Sequence, residues 1–349
     1  MNPNSGNHVS DDLAETALVT KCQRRKRGLR DFKTVRFVLF ALVATSLNAS
    51  LGQARADSAV VVVGAAGTDK YGEEFKTWSE RWRHACEASG TSCTFIGLES
   101  FDAGRTDKEL LKTAIESNAD DESSLWIVLI GHGTPFGKIA KYNLRGPDVS
   151  TDEFAEWLQP LSRRVAIVNC TSASGHFLQA LSGEKRVVVT ATQSGAEINY
   201  ARFGDHLSQA ISNRDADLDH DDQVSLLEAF LTASKNVQRF YEQDNRLATE
   251  HALLDDNGDR QGTPATFFQG IRATKSAKDG AELDGTAAHQ MILLKSERES
   301  KLTAVQVQNR DRLEAELDLL RRRKASMSVD EYYKRLEAIM IEMAKVYAE

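Results

Sequence analysis

Short apolar runs punctuate the first two thirds of the chain, with helical patterns between them. Residues 59–64 are a run of valines closed by glycine, the pattern of a buried strand. Residues 71–88 place Phe75, Trp78, Trp82 and Ala85 at helical spacing, so a helix is expected there. Further strands are expected at 93–98, 125–130, 165–168 and 186–191. Helices are expected between them, at 107–115, 151–161 and 177–181. The first of these has an acidic start, and Phe154, Trp157 and Leu158 share one face of the second. Continuous apolar strands joined by helices predict an α/β fold, a mostly parallel sheet with helices on both faces.

Beyond Phe203 the pattern turns helical and acidic. An α/β domain is therefore expected over 57–272, followed by a small-residue, charged and glycine-bearing linker over 273–298. Over 299–349, Leu, Val, Met and Ile recur at helical spacing among dense charges, with a break near 326–330. Ser328 or Asp330 is the expected cap of the second helix. This helical C-terminal extension reads as a helical hairpin or coiled-coil tail, a surface for self-association.

Residues 1–56 have the three-part shape of a secretory signal. A basic lead over 21–36 precedes an apolar stretch over 37–47 and the small-residue pattern Ala54-Arg55-Ala56. The apolar part is too short to span a membrane comfortably. An uncleaved N-terminal anchor is the other reading. Both imply export, to the periplasm or the extracellular space, with no stable membrane span once the signal is removed. Composition, 41% hydrophobic and 27% charged, is that of a globular protein and excludes disordered or fibrous classes. The net charge of −7 argues against a nucleic-acid partner, which needs a basic face.

Export changes the reading of the cysteines. Cys22 leaves with the signal. Cys86 and Cys93 either form a disulfide or leave Cys86 as a buried helix residue. Cys170 is left over, and an unpaired cysteine in an exported protein marks a reactive thiol. It directly follows the expected strand at 165–168 and Asn169, as His132 follows the strand at 125–130 and Gly131. Ligands of open α/β sheets bind beyond the carboxyl ends of parallel strands. Neighbouring strands of this kind would bring an imidazole and a thiol to one sheet edge, the parts of a Cys-His nucleophile. Gly131 and Gly133 allow the tight turn and close substrate approach that such a site needs. The other reading is a strand-end histidine in a glycine turn and a small apolar core cysteine.

The stretch from 59 to about 210 resembles the caspase-like cysteine peptidases and is most similar to the legumain family. Four segments carry this: His132-Gly133 after a strand; Cys170 with Ser172 and Gly175 after a later one; Val187 to Thr192; and Glu197-Ile198-Asn199-Tyr200-Ala201. The resemblance implies an endopeptidase acting on protein or peptide substrates, with His132 as acid/base and Cys170 as nucleophile. It also implies backbone amides of Gly133 and Cys170 around the oxyanion, and a pocket wall formed by the segment beginning at Glu197. The run from Cys170 to Gly175 is one small residue longer than the family's, and Ile198 stands where the family has serine. A caspase-like binding or scaffold protein without activity is the alternative.

Residues 217–228 have the spacing of an EF-hand calcium loop. Asp217, Asp219, Asp221, Gln223, Ser225 and Glu228 occupy positions one, three, five, seven, nine and twelve. Asp222 replaces the usual glycine at position six, and Val224 is the apolar residue at eight. Calcium is therefore the expected cofactor, against the reading of a solvated acidic loop capping the helix expected over 226–240. The cluster Asp255-Asp256-Asn257-Gly258-Asp259 lacks a twelfth-position carboxylate and reads as a surface turn, or as a half-site. His84, His176, His206 and His251 show no metal spacing. Gly64-Ala65-Ala66-Gly67 lacks the full dinucleotide-binding spacing.

Overall fold

The computed structural model describes residues 57–99, 104–119, 123–275 and 283–348. The expected signal over 1–56 lies outside the described residues.

The first half alternates strand and helix: β1 (Ser58–Val63), α1 (Asp69–Ser89), β2 (Ser92–Ile96), α2 (Asp107–Glu116) and β3 (Leu125–Ile130). Three short strands follow, β4 (Gly133–Phe136), β5 (Ile139–Tyr142) and β6 (Val149–Ser150). Then come α3 (Thr151–Leu158), β7 (Val165–Asn169), α4 (Gly175–Leu181), β8 (Arg186–Thr190) and α5 (Phe203–Ala210). The second half holds α6 (Leu226–Gln243), β9 (Leu253–Asp255), β10 (Thr263–Pro264), β11 (Phe268–Gln269) and β12 (Arg272–Ala273). It closes with α7 (Thr286–His289), α8 (Ala304–Arg322) and α9 (Val329–Val346).

The main sheet runs β10-β9-β8-β7-β3-β1-β2. It is parallel from β2 to β8, and β9 and β10 add antiparallel pairs at one edge. Strand parity sorts its side chains. Ala59, Val61, Val128, Ile130, Ala166 and Val168 face a core made with Phe75, Trp78 and Trp82 of α1, Phe203 of α5 and Phe230 of α6. Val60, Ile127, Leu129 and Ile167 face Leu111 of α2, Phe154 of α3 and Phe177 of α4. A sheet buried on both faces is why these strands read as unbroken apolar runs. The expected mostly parallel sheet with helices on both faces is found, as are the C-terminal helices.

Helix starts follow local chemistry. Capping boxes open α2 (Thr106/Glu109), α3 (Ser150/Glu153), α6 (Ser225/Glu228) and α8 (Thr303/Gln306), and Ser328 caps α9. The sheet β4-β5-β6, absent from the sequence reading, consists of strands too short for a period to show, and Thr134, Pro135 and Phe136 are exposed.

The stretch expected as a linker over 273–298 is partly core. Ala288, Met291, Ile292 and Leu293 are buried, and Leu226 N donates to Met291 O at 2.8 Å. Its small residues disguise a segment that pairs with the start of α6; Ser225 and Ile292 form a β-bridge. The helices α8 and α9 lie side by side, Gln306 Nε2 donating to Val346 O at 3.0 Å. Arg164 binds Asp311 at 2.7 Å and ties α8 to the residue preceding β7. Among the described residues no helix is long and apolar enough to cross a membrane.

Cys86 and Cys93 are disulfide-bonded, joining the end of α1 to β2. The bridge closes a short loop, and chain entropy assigns it about 2–3 kcal/mol. The variant Cys93→Ser is expected to lose that much in denaturant titration, and reductant is expected to lower the melting temperature of the wild type alone.

Candidate active site

The strand register brings the two reactive residues to one rim. Val128 pairs with Val168 and Leu129 with Asn169. Cys170 N then donates to Leu129 O at 2.9 Å. Cys170 therefore follows beside Ile130, and His132 lies two residues beyond Ile130, past the end of β3. Both lie on the face covered by α1. The His132 ring packs on Phe75, centroids 5.2 Å apart, and on Tyr71 at 4.9 Å. Tyr200 closes this aromatic wall, tilted by 31° against Tyr71 with centroids 4.6 Å apart and bonded through its hydroxyl to Glu74.

His132 Nε2 lies 3.2 Å from Ala66 O. A carbonyl only accepts, so this nitrogen carries the proton and Nδ1 is left as the basic one. Ala66 thus supplies the group that fixes the imidazole tautomer. The sequence offers one signal for it, the small-residue turn Gly64-Ala65-Ala66-Gly67 directly after β1.

Cys170 is 1% exposed. Burial, with the Glu250 carboxylate behind it, pushes its thiol up to about 12. The lid over it is α5. A Cβ built on Gly204 would stand 2.7 Å from Cys170 Cβ and 2.7 Å from Trp78 Cζ3. Only glycine permits this approach. Gly204→Ala is expected to cost about 1–3 kcal/mol through overpacking, read as a lowered midpoint in urea with an unchanged slope.

Glu250 holds that lid in place. Its carboxylate accepts from Arg202 N at 2.8 Å, Phe203 N at 2.9 Å and Tyr241 Oη at 3.1 Å. These include amides at the start of α5, so the carboxylate serves as the cap that Arg202 cannot supply.

The backbone amides expected around an oxyanion are already engaged. Cys170 N belongs to the sheet ladder, as above. Gly133 N donates to Ser172 Oγ at 3.2 Å. A Cβ on Gly133 would lie 2.2 Å from Ser172 O, so the loop after Cys170 packs directly on the glycine turn. That loop is pinned further by Gly175 N to Thr192 Oγ1 at 3.1 Å and Ala173 N to Glu197 O at 2.8 Å.

Glu197 is placed differently from a free pocket wall. Its carboxylate binds His251 Nδ1 at 2.5 Å and accepts from Gln193 N at 2.9 Å and His251 N at 3.1 Å. It staples the loop after β8 to the segment before β9. His251, which shows no metal spacing in the sequence, is its partner.

The acidic loop brings three of its six expected donors together. Carboxylate oxygens of Asp217, Asp219 and Asp221 lie within 4.8 Å of one another. Asp222 adopts φ +70°, the left-handed conformation that position six requires. The Glu228 carboxylate stands outside this cluster, and Gln223 reaches it as a donor, its Nε2 bonding Asp221 Oδ2 at 2.9 Å. Gln223 Oε1 accepts from Ser296 N at 3.1 Å. Glu228 Oε2 caps α6 through Ser225 N at 2.9 Å and Oγ at 2.8 Å, while Oε1 accepts from Leu218 N at 2.7 Å. The capping-box geometry competes for the carboxylate that spacing alone assigned to a metal. His289, not singled out from sequence, binds Asp219 Oδ2 at 3.1 Å. Burial and the neighbouring Asp219 and Glu228 carboxylates push Asp221 up to about 6.

The cluster at 255–259 is no simple surface turn. Asp255 is fully buried. Asp256 Oδ1 accepts from Gly285 N at 3.0 Å and Oδ2 from Ala288 N at 2.7 Å. Asp284 Oδ1 in return accepts from Asp256 N at 2.8 Å, and its Oδ2 binds Thr263 Oγ1 at 2.5 Å. The two carboxylates clasp the end of β9 to the start of α7.

No family model matches this chain, and no curated protein matches it. Among solved structures it is similar in fold to the Drosophila initiator caspase Dronc, at 14% identity and TM-score 0.38 over 60% of this chain and 82% of that one. It is also similar to caspase-1 from Spodoptera frugiperda, at 11% identity and TM-score 0.33 over 53% of this chain and 77% of that one. At these identities, and with scores below one half, the likeness assigns no role to any residue of this chain.

Proposed function

We propose that this protein is an exported, calcium-binding cysteine endopeptidase of the legumain type. The observation that carries the reading is the placement of Cys170 and His132 past adjacent parallel strands, on one face of the sheet. In the reaction His132 takes the Cys170 proton, and the thiolate sulfur attacks the carbonyl carbon of the scissile peptide bond. The imidazolium then gives that proton to the leaving amine as the C–N bond breaks. A water molecule, deprotonated by His132, hydrolyses the thioester and restores the thiol. The Ala66 carbonyl keeps the imidazole oriented throughout.

In the described state the lid is closed. A buried thiol held this far above neutrality stays protonated at neutral pH. Displacement of α5 and Tyr200 would open the site, and Gly133 N would be freed for the oxyanion once Ser172 turns away. The Cys86–Cys93 bridge supports export, since disulfides persist outside the cytoplasm.

Calcium fits the loop chemically. Asp217, Asp219 and Asp221 offer hard oxygens around one point, to be joined by the Gln223 carbonyl, Ser225 and Glu228. Added calcium at about a hundred times its dissociation constant is expected to stabilise the fold by about 2.7 kcal/mol. Asp219→Asn is expected to abolish that gain in a thermal melt, whereas an equal gain in the variant overturns the site.

The same buried thiol favours a second reading, a caspase-like calcium-dependent binding protein without activity. A peptide-like thiol-reactive inhibitor separates the two. The peptidase predicts rapid, calcium-sensitive labelling of Cys170 that is lost in His132→Ala. Labelling no faster than in the unfolded chain supports the binding protein.

A further inference from the structure

The acidic loop is held from outside by a segment far along the chain. Residues 286–296, inside the stretch expected as a linker, run beside the loop and the start of α6. Two side-chain bridges join this segment to the loop's carboxylates. His289 Nε2 stands 3.1 Å from Asp219 Oδ2. A carboxylate oxygen only accepts, so this nitrogen donates. Gln223 makes the second bridge. Its Nε2 donates to Asp221 Oδ2 at 2.9 Å, while its Oε1 accepts from Ser296 N at 3.1 Å.

Both bridges coexist with the gathered cluster. Oxygens of Asp217, Asp219 and Asp221 lie within 4.8 Å of one another while these donors are in place. The donors therefore orient the carboxylates and do not draw them away from the shared point. Each carboxylate has lone pairs left over for an ion. Hydrogen bonds from outside a metal's own ligands are what fix ligating carboxylates in direction. Asp217 takes its donors from within the loop, the amides of His220 at 2.7 Å and Asp222 at 3.0 Å. Asp219 and Asp221 depend on side chains tied to residues 286–296. That segment is in turn fixed to α8, through Gln290 Nε2 to Asp311 O at 2.8 Å and Thr286 Oγ1 to Asp318 Oδ2 at 2.9 Å.

We propose that His289 and Gln223 are positioning residues of the calcium site, and that calcium in consequence clamps residues 286–296 onto the loop. The proposal rests on the calcium reading above and adds to it a remote histidine that sets the affinity and a remote segment that the ion secures. Linkage makes these one effect: whatever the docked segment adds to calcium affinity, calcium adds to docking.

Calcium is the probe, titrated calorimetrically into the full-length protein and two variants. His289→Leu is expected to bind calcium about 10–100-fold more weakly. His289→Gln, whose side-chain amide can donate to Asp219, is expected to restore most of that loss. In the wild type, calcium is expected to slow amide hydrogen exchange over residues 286–296. This measurement needs no substitution and keeps the test valid if His289→Leu folds poorly. Equal affinity in His289→Leu and wild type overturns the proposal. So does a glutamine variant as weak as the leucine one, or exchange over 286–296 that calcium leaves unchanged or speeds. Failure of the wild type to bind calcium at all overturns the calcium reading itself, and this proposal with it.

Discussion

Peptide hydrolysis by the His132→Ala variant is expected to fall by on the order of 10²–10⁴-fold, the range that a positioned general acid/base supplies. Cys170→Ala is expected to stop the reaction, because no other side chain at the rim can form the thioester. Each variant should unfold at close to the wild-type denaturant concentration. His132 is half-buried, and alanine at 170 removes a single sulfur from the core. The double variant should be no slower than Cys170→Ala, since the two act as a unit. Hydrolysis that persists after either change removes the peptidase reading. Ala66 itself cannot be tested by truncation, because its contribution is a backbone carbonyl.

The second large effect concerns stability and pH. Burial, and then the neighbouring Asp256 carboxylate, hold the Asp284 carboxyl well above the usual aspartate range. Asp256 is raised too, chiefly by its own burial. A carboxyl whose pKa is higher folded than unfolded retains its proton preferentially in the native state. Its stabilising contribution is complete below the ordinary aspartate pKa, and it is lost as pH rises through the raised value. Stability should therefore decline from mildly acidic to neutral and alkaline pH, by on the order of a few kcal/mol. Asp284→Asn keeps an oxygen for the Asp256 and Asn257 amides and removes the charge. Urea titrations across pH should show this variant more stable than wild type at neutral pH, with a flatter profile. A wild-type profile that rises through the same window contradicts this account.

The two predictions differ in how much of their basis is legible from residue order. The positions of His132 and Cys170 could be read in advance. Val165 to Val168 and Leu125 to Ile130 announce buried strands by their apolar run, and the first reactive side chain beyond each is then a matter of counting. That both lie on the face covered by α1 is shown only by the folded contacts, His132 against Tyr71 and Phe75 and Cys170 in the same core. Nothing local marks Asp284, which sits among small and charged residues that resemble a linker. It becomes a buried acid only because the turn after β9, far back in the chain, folds against it.

The acidic loop shows how local rules compete. The spacing that gathers Asp217, Asp219 and Asp221 also places Ser225 three residues before Glu228, which is a capping box. Spacing reports which groups can meet; it does not rank the partners available to each. Glu228 answers to Leu218, Ser225 and the helix start together.

By itself, the order of residues determined the strands, most helices, the two faces of the sheet and the positions of His132 and Cys170. These follow from periodicity and burial, which act over a few residues at a time. The tertiary structure alone decided that Gly204 and Trp78 bury the thiol, that Glu250 anchors the lid and that Ala66 orients the imidazole. Each of these joins segments distant in the chain, and such contacts arise only when whole elements pack and every polar group must find a partner away from water.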